Sequence, residues 1–145
     1  MWWILKRVCS VVFAIVCACT VGMMLYASNV CKLKAIDGKR TFYLYSASSQ
    51  ASMVSTLTLD KIFSVRGESV RFPLQNTGEQ TAEEILSKYN ARLVCTERID
   101  GITSYYAVSE SFASGIVLFG ERVNLHVAVS ETECVVGSPV IFGGF

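Results

Sequence analysis

The sequence of 145 residues contains a single histidine, and it contains no Cys-x-x-Cys pair. With one histidine and no cysteine pair, the possible metal ligands are scattered carboxylates. These carboxylates lack the spacing of a calcium loop. The glycines near the C-terminus are not followed by the Lys-Ser/Thr pair of a phosphate-binding loop. We therefore expect the protein to bind neither a metal nor a cofactor.

A clustered excess of positive charge is also lacking. Of the 13 basic residues, Lys6 and Arg7 precede Cys31, which leaves 11 basic residues against 12 acidic ones in the remainder of the chain. The two signs are interspersed there, whereas proteins that hold nucleic acid place clustered basic residues against the phosphates. The composition predicts no nucleic-acid partner.

No pattern typical of nucleophilic catalysis is present. Nucleophile atoms are available at four positions, but no G-x-S-x-G elbow surrounds any of them: Ser48, Ser49, Ser138 and Cys95. His126 lies in an alternating strand pattern together with Asn124, opposite to Val123 and Leu125, so we expect His126 and Asn124 to face solvent. The sequence predicts that the protein is not an enzyme.

The longest uncharged run extends from Val8 to Ala27. Its 20 residues form a helix of about 30 Å, which is the thickness of the hydrocarbon core of a bilayer. Lys6 and Arg7 precede the run, and two tryptophans and Tyr26 are placed to lie at the interfaces. We predict an N-terminal tail and transmembrane anchor over residues 1–31. A short N-terminal tail normally stays in the cytoplasm, so residues 32–145 should form an extracytoplasmic domain.

Three other interpretations of this run remain open. A cleaved signal peptide would place Ala27 before the cut, although Leu25 is a poor residue two positions earlier. A lipoprotein box is distantly similar to residues 16–19, yet the residues that follow stay apolar. A buried core helix would show a polar face, and none interrupts the run.

Two of the six cysteines, Cys95 and Cys134, belong to the predicted domain. Both lie in strand-like apolar stretches, 39 residues apart. One disulfide in an oxidising compartment and two free buried thiols are both compatible with this placement.

Alternating patterns after residue 40 predict several strands. They include Thr41–Ser46, Ser69–Leu74 limited to an edge or an end by Pro73, a hairpin over 92–108 that turns at Asp100-Gly101, Ile116–Phe119, Val123–Ser130 and Cys134–Gly137. Gly67 should break the regular secondary structure. The segment Ser52–Val65 is compatible with either helix or strand.

A capping box predicts one helix that starts at Thr81, with Glu84 as the third helical residue. Ile85, Leu86 and Tyr89 share its apolar face, and Asn90 suits a left-handed cap. Adjacent strands joined by short turns, with one or two helices on one face, define an α+β domain with an antiparallel sheet.

Aromatic residues on strands and an apolar C-terminus are the remaining candidates for binding. The simpler interpretation is core packing with a tucked tail, and the alternative is an exposed groove or tail that docks a partner. The candidate binding residues are Tyr105, Tyr106, Asn124, His126 and Phe145.

The segments TERIDGITSYYAVS and GERVNLHVAVSETECVVGSPVIFGGF resemble the end of small membrane-anchored proteins of Gram-positive spore-formers. More distantly they resemble the YwmB-like group, which has a TATA-box-binding-like fold. The resemblance implies a curved antiparallel sheet with helices on one face. The resemblance concerns shape alone. It does not imply DNA binding, and it assigns no functional residue.

Together these observations predict a non-enzymatic, membrane-anchored envelope protein whose extracytoplasmic domain binds another envelope component. One alternative is a serine hydrolase or small-ligand binder that uses Ser48, Ser49 or His126. A second alternative is a cleaved, secreted domain. A pilin-like subunit is disfavoured because the apolar segment lacks an early glutamate.

Overall fold

The computed structural model describes residues 1–46, 51–118 and 120–143, and for residues 27–29 it describes the backbone without the side chains. Internal contacts divide the chain into two units, Met1–Cys31 and Lys32–Phe145.

The first unit is one helix, α1, over Trp2–Val30. Its candidate membrane span is Trp2–Tyr26, which has a mean hydropathy of 2.5 and no buried part. The helix is longer than the predicted run of 20 residues because it includes most of the N-terminal tail and continues past Ala27 to Val30. Arg7 stacks on Trp3 there, with its guanidinium carbon 3.6 Å from the ring centre. Among the described residues, one helix is thus long and apolar enough to span a membrane, and it lies near the N-terminus.

The second unit is an α+β domain, as predicted, built on an antiparallel sheet. Its helical elements are α2 over Gly78–Lys88 and one 3₁₀ turn over Ile62–Ser64. Its strands are β1 Lys39–Leu44, β2 Ser52–Val54, β3 Val65–Pro73, β4 Ala91–Ile99, β5 Ile102–Ser109, β6 Ile116–Leu118, β7 Glu121–Val123, β8 Leu125–Val129 and β9 Glu133–Ser138. Seven strands form one sheet in the order β2-β1-β3-β9-β8-β5-β4, and β6 pairs with β7 as a separate hairpin.

One face of the sheet, the helix face, carries the main hydrophobic core. Alternate residues of the central strands point to it, including Val70, Val127 and Val136, and all three are buried. Helix α2 covers this face with Ala82, Ile85 and Tyr89. At about 25 cal/mol per Å² of apolar surface, this aliphatic layer is the main source of stability.

Helix α2 begins one turn earlier than predicted. Thr77 is the N-cap, and its Oγ1 accepts a hydrogen bond from the Gln80 amide at 3.4 Å. Thr81, the predicted cap, lies inside the helix and donates its hydroxyl to the Thr77 carbonyl. The predicted C-terminal end is confirmed, since Asn90 has a positive φ of 46°.

The predicted hairpin over 92–108 is confirmed. Asp100 and Gly101 both adopt positive φ, 51° and 81°, as a two-residue turn between twisted antiparallel strands requires. The predicted strand at Val123–Ser130 is divided at Asn124, so that β7 returns along β6 before β8 enters the large sheet.

The predicted break at Gly67 is wrong, whereas Pro73 lies at the end of its strand, which is one of the two placements predicted for it. Gly67 lies within β3, and β3 is a central strand between β1 and β9. Pro73 is tolerated because it is the last residue of the strand. A Cβ at Gly67 would lie 2.7 Å from the Ser138 carbonyl oxygen, so a close backbone approach selects glycine here.

The sheet has two ends, which we call proximal and distal. The proximal end contains the end of β1, the starts of β3 and β8, and Lys32, whose amide is bonded to Glu68. The distal end contains the start of β1, the end of β3 and the Asp100-Gly101 turn.

Candidate functional site: the back face of the sheet

The face opposite to α2, the back face, is covered by the C-terminal segment 139–143, which we call the strap. Glycine at position 137 lets the strap lie close to β9, because a Cβ there would meet the Ile141 side chain at 2.7 Å. Phe142 packs edge-on against Tyr43 with ring centres 5.5 Å apart. The predicted tucked tail is therefore confirmed as far as Gly143, and Phe145 lies outside the described residues.

His126 lies on β8 beneath this strap. Its Nδ1 accepts a hydrogen bond from the Ile141 amide at 3.3 Å, and its ring stacks on Tyr106 with centres 4.4 Å apart. Burial lowers the pKa of His126 to about 4. The imidazole is neutral at pH 7, and since Nδ1 accepts, the proton resides on Nε2.

The buried Nε2 of His126 has no hydrogen-bond partner among the described residues. A buried donor without a partner costs about 1 to 3 kcal/mol. The packing of Tyr106 and the strap around the ring must offset this cost. The site therefore holds a buried, neutral histidine that makes one hydrogen bond among the described residues.

The prediction that His126 and Asn124 face solvent is wrong. The alternation assigned His126 to the correct face, but the strap removes that face from solvent and leaves the side chain 8% exposed. Asn124 is fully buried for a different reason. Its Oδ1 accepts from the Ser109 amide, and its Nδ2 donates to the Ser109 and Phe112 carbonyls, so it closes the turn that follows β5.

The four candidate binding residues that the structure describes do not form one site. Tyr106 and His126 are brought together on the back face, whereas Tyr105 packs against the core on the helix face. Burial raises the pKa of both tyrosines, with the carboxylates of α2 adding to the effect at Tyr105 and Glu97 adding to it at Tyr106. Only the Tyr106–His126 pair is therefore a candidate for shared function.

Two of the four candidate nucleophiles, Ser138 and Cys95, lie in the part of the chain that the structure describes. Ser138 is buried and donates its hydroxyl to the Asn124 carbonyl at 2.9 Å. Cys95 is half-buried on β4, where burial raises the pKa of its thiol. Neither residue is hydrogen-bonded to His126 within the described residues, and Ser48 and Ser49 lie outside them.

Cys95 and Cys134 are free thiols rather than a disulfide pair. Cys134 on β9 and Cys95 on β4 are separated by three strand spacings, roughly 14 Å at about 4.8 Å each. A disulfide requires Cα atoms within about 7 Å. Burial on the helix face raises the pKa of the Cys134 thiol to about 12, which makes it unreactive.

A polar recess of about 280 Å³ lies beside the strap toward the distal end. The Tyr43 and Ser69 hydroxyls share a hydrogen bond at 2.9 Å in its wall, and Lys39 stands directly opposite Arg71 across the two strands. Arg71 is also paired with Glu133. Within the described residues no group of three or more His, Cys, Asp or Glu side chains converges on a metal position.

A second buried ionisable group, Glu68 on the helix face, was missed by the sequence analysis. One carboxylate oxygen accepts from the Lys32 amide and from the Leu33 amide at 2.7 Å. The other accepts from Arg40 at 2.8 Å, and Arg40 also donates to the Leu33 carbonyl. This Glu68 clamp fastens the first residues of the domain to β3. No local signal marks it, because its partners are 28 to 36 residues away.

Comparison of the chain with protein-family models, with curated proteins and with solved structures finds no match.

Proposed function

We propose that the protein is a single-pass membrane protein of the cell envelope, whose extracytoplasmic domain binds another envelope component without catalysing a reaction. One observation carries the proposal: the 25-residue span Trp2–Tyr26 has a mean hydropathy of 2.5 and buries nothing within the protein. A helix apolar on all sides needs an apolar environment, and a bilayer supplies it.

The non-enzymatic part of the proposal is supported by the state of the ionisable groups in the domain. Glu68 accepts three hydrogen bonds within the clamp, and His126 is a neutral side chain packed under the strap. Catalytic groups are normally aimed into a cleft, where substrate reaches them. A domain that uses these groups to fasten its own chain is better suited to present a surface.

Membrane anchoring and sidedness are tested together in intact cells. A membrane-impermeant maleimide should label Cys95, which is half-buried on an exposed strand, and should leave the buried Cys134 unlabelled. A Cys95→Ser variant identifies the labelled thiol. Labelling of Cys95 only after the cells are permeabilised would place the domain in the cytoplasm and contradict the proposal.

The alternative is that the N-terminal helix is a signal sequence and is cleaved, because a signal sequence can have the same length and hydropathy as a membrane anchor. Intact mass of the mature protein distinguishes the two, and we expect residues 1–31 to be retained in the membrane fraction. Partner binding is tested by pull-down with the full chain and with a variant that lacks residues 41–145. Recovery of the same partners by both would contradict binding through the domain.

A further inference from the structure

The proximal end of the sheet exposes four large apolar side chains. They are Tyr45 at 70%, Leu59 at 71%, Phe63 at 62% and Val117 at 74% of their full accessible surface. Of the other large apolar side chains exposed in the described part of the domain, Met53 and Leu93 lie on the two edge strands, and Ile99, at 57%, lies at the distal end. Exposed apolar residues scattered singly are normal, but several at one end of a small domain mark an interaction surface.

These four residues reach the proximal end from three separate segments. Tyr45 follows β1, and its amide donates to the Ser64 carbonyl at 2.8 Å, which holds it beside the 3₁₀ turn that contains Phe63. Leu59 precedes the same turn. Val117 lies in the β6–β7 hairpin, which is inserted between the end of β5 and the start of β8. The exposed cations Lys61 and Arg66 lie in the same region, with Arg66 6.0 Å from the Tyr45 ring centre.

The chain enters the domain at this same end. The Glu68 clamp holds Lys32 and Leu33 against β3, and five residues, 27–31, separate Lys32 from the end of the apolar span at Tyr26. Six residue steps cover about 9 Å as a helix and at most about 20 Å when extended. Chain length alone therefore keeps the proximal end close to the membrane surface if α1 spans the bilayer.

We propose that the proximal end is a lipid-contacting surface that inserts Tyr45, Leu59, Phe63 and Val117 into the headgroup region of the membrane that holds α1. The partner is a phospholipid bilayer, whose interface accepts aromatic and aliphatic side chains and whose phosphates attract Lys61 and Arg66. Tethering supplies a high effective concentration, so a few exposed side chains are enough for contact. This inference rests on the proposed membrane anchoring.

The test uses the full chain reconstituted in vesicles of phosphatidylcholine and phosphatidylglycerol. A benzophenone amino acid is placed, one position at a time, at residues 13, 63, 99 and 117, and lipid adducts are quantified by mass spectrometry after irradiation. Residue 13 lies within the span, and residue 99 is the exposed control at the distal end. We expect lipid adducts at 13, 63 and 117, with a yield several-fold above that at 99.

The outcomes separate the two proposals. Adducts at 13 without adducts at 63 and 117 would overturn the lipid-contacting surface and leave the anchor intact, and equal yields at 99 and 63 would overturn it as well. No adduct at 13 would overturn the anchor itself. A Leu59→Ser, Phe63→Ser variant should lower the yield at 117 several-fold, whereas the matched Ile99→Ser variant should leave it unchanged. All three positions are exposed, so the domain should still fold.

Discussion

The two faces of the sheet are closed by different means, although alternate residues of the same strands supply both. On the helix face, α2 and the segment after Lys32 cover an aliphatic core, and its buried charge, Glu68, is fully hydrogen-bonded. On the back face, a strap of five residues covers a neutral histidine that makes one hydrogen bond through Nδ1. The two buried groups thus differ in the number of hydrogen-bond partners that each finds, with three for Glu68 and one for His126.

The largest loss of stability is expected from removing the charge of Glu68 on the helix face. Glu68→Gln should lower the free energy of unfolding by about 3 to 5 kcal/mol, because Arg40 loses its charged partner and the single oxygen of glutamine cannot accept from both Arg40 and the two backbone amides. The measurement is urea unfolding of the detergent-solubilised full chain, followed by the circular dichroism of the β-sheet.

An exposed ion pair of the same chemistry provides the control. Glu133 pairs with Arg71, and both side chains are about one-third exposed. Glu133→Gln should change stability by at most about 1 kcal/mol, since solvent screens such pairs. Equal losses in the two variants would mean that the Glu68 clamp is no stronger than a surface contact.

Gly137→Ala tests how closely the strap must approach the back face. The new methyl group would lie 2.7 Å from the Ile141 side chain and 2.9 Å from the Ile141 amide nitrogen, so the strap must move outward. We expect a loss of about 1 to 3 kcal/mol, as for other overpacked sites. Hydrogen exchange should show faster exchange of the Ile141 amide, which loses its bond to His126. Unchanged protection of that amide would show that the strap adapts without leaving the histidine.

The pH dependence of stability sharpens the contrast between the two buried groups. The pKa of folded His126 is lowered from 6.5 to about 4, so between these values the unfolded chain binds a proton that the folded chain does not. Stability from this residue is complete above pH 6.5 and is lost as the pH falls toward 4, at about 1.4 kcal/mol per pH unit. His126→Gln should remove the part of the slope between pH 5 and 6.5, and an unaltered slope would contradict burial of the neutral form.

Local signals in the sequence predicted the elements, and contacts distant in sequence decided the site. The hairpin turn at Asp100-Gly101 and the left-handed Asn90 were predictable because a few adjacent residues determine each of them. The exposure of His126 was not predictable from its strand. Alternation assigns residues to faces, but it does not show that a segment 15 residues later will cover one of them.

The Glu68 clamp was hidden for the same reason. A glutamate flanked by glycine and serine within a strand pattern is usually at the surface, and only the return of Lys32 and Leu33 from 35 residues upstream buries it. The aromatic pair is intermediate between these cases. Tyr106 and His126 were both singled out as candidates, yet their contact depends on the register of β5 with β8, which no local pattern specifies.

The smallest effect concerns the start of α2, where the sequence contains two consecutive capping patterns. Thr77 to Gln80 and Thr81 to Glu84 both match the capping box, and the earlier one is used because the additional turn buries Thr81 and Ala82 on the helix face. Thr77→Ala should therefore cost about 1 kcal/mol, while Thr77→Ser, which retains the acceptor oxygen, should cost much less. Both are measured by urea unfolding of the full chain. If the alanine and serine variants unfold alike, the Thr77 oxygen contributes nothing, and the extra turn is held by the burial of Thr81 and Ala82 alone.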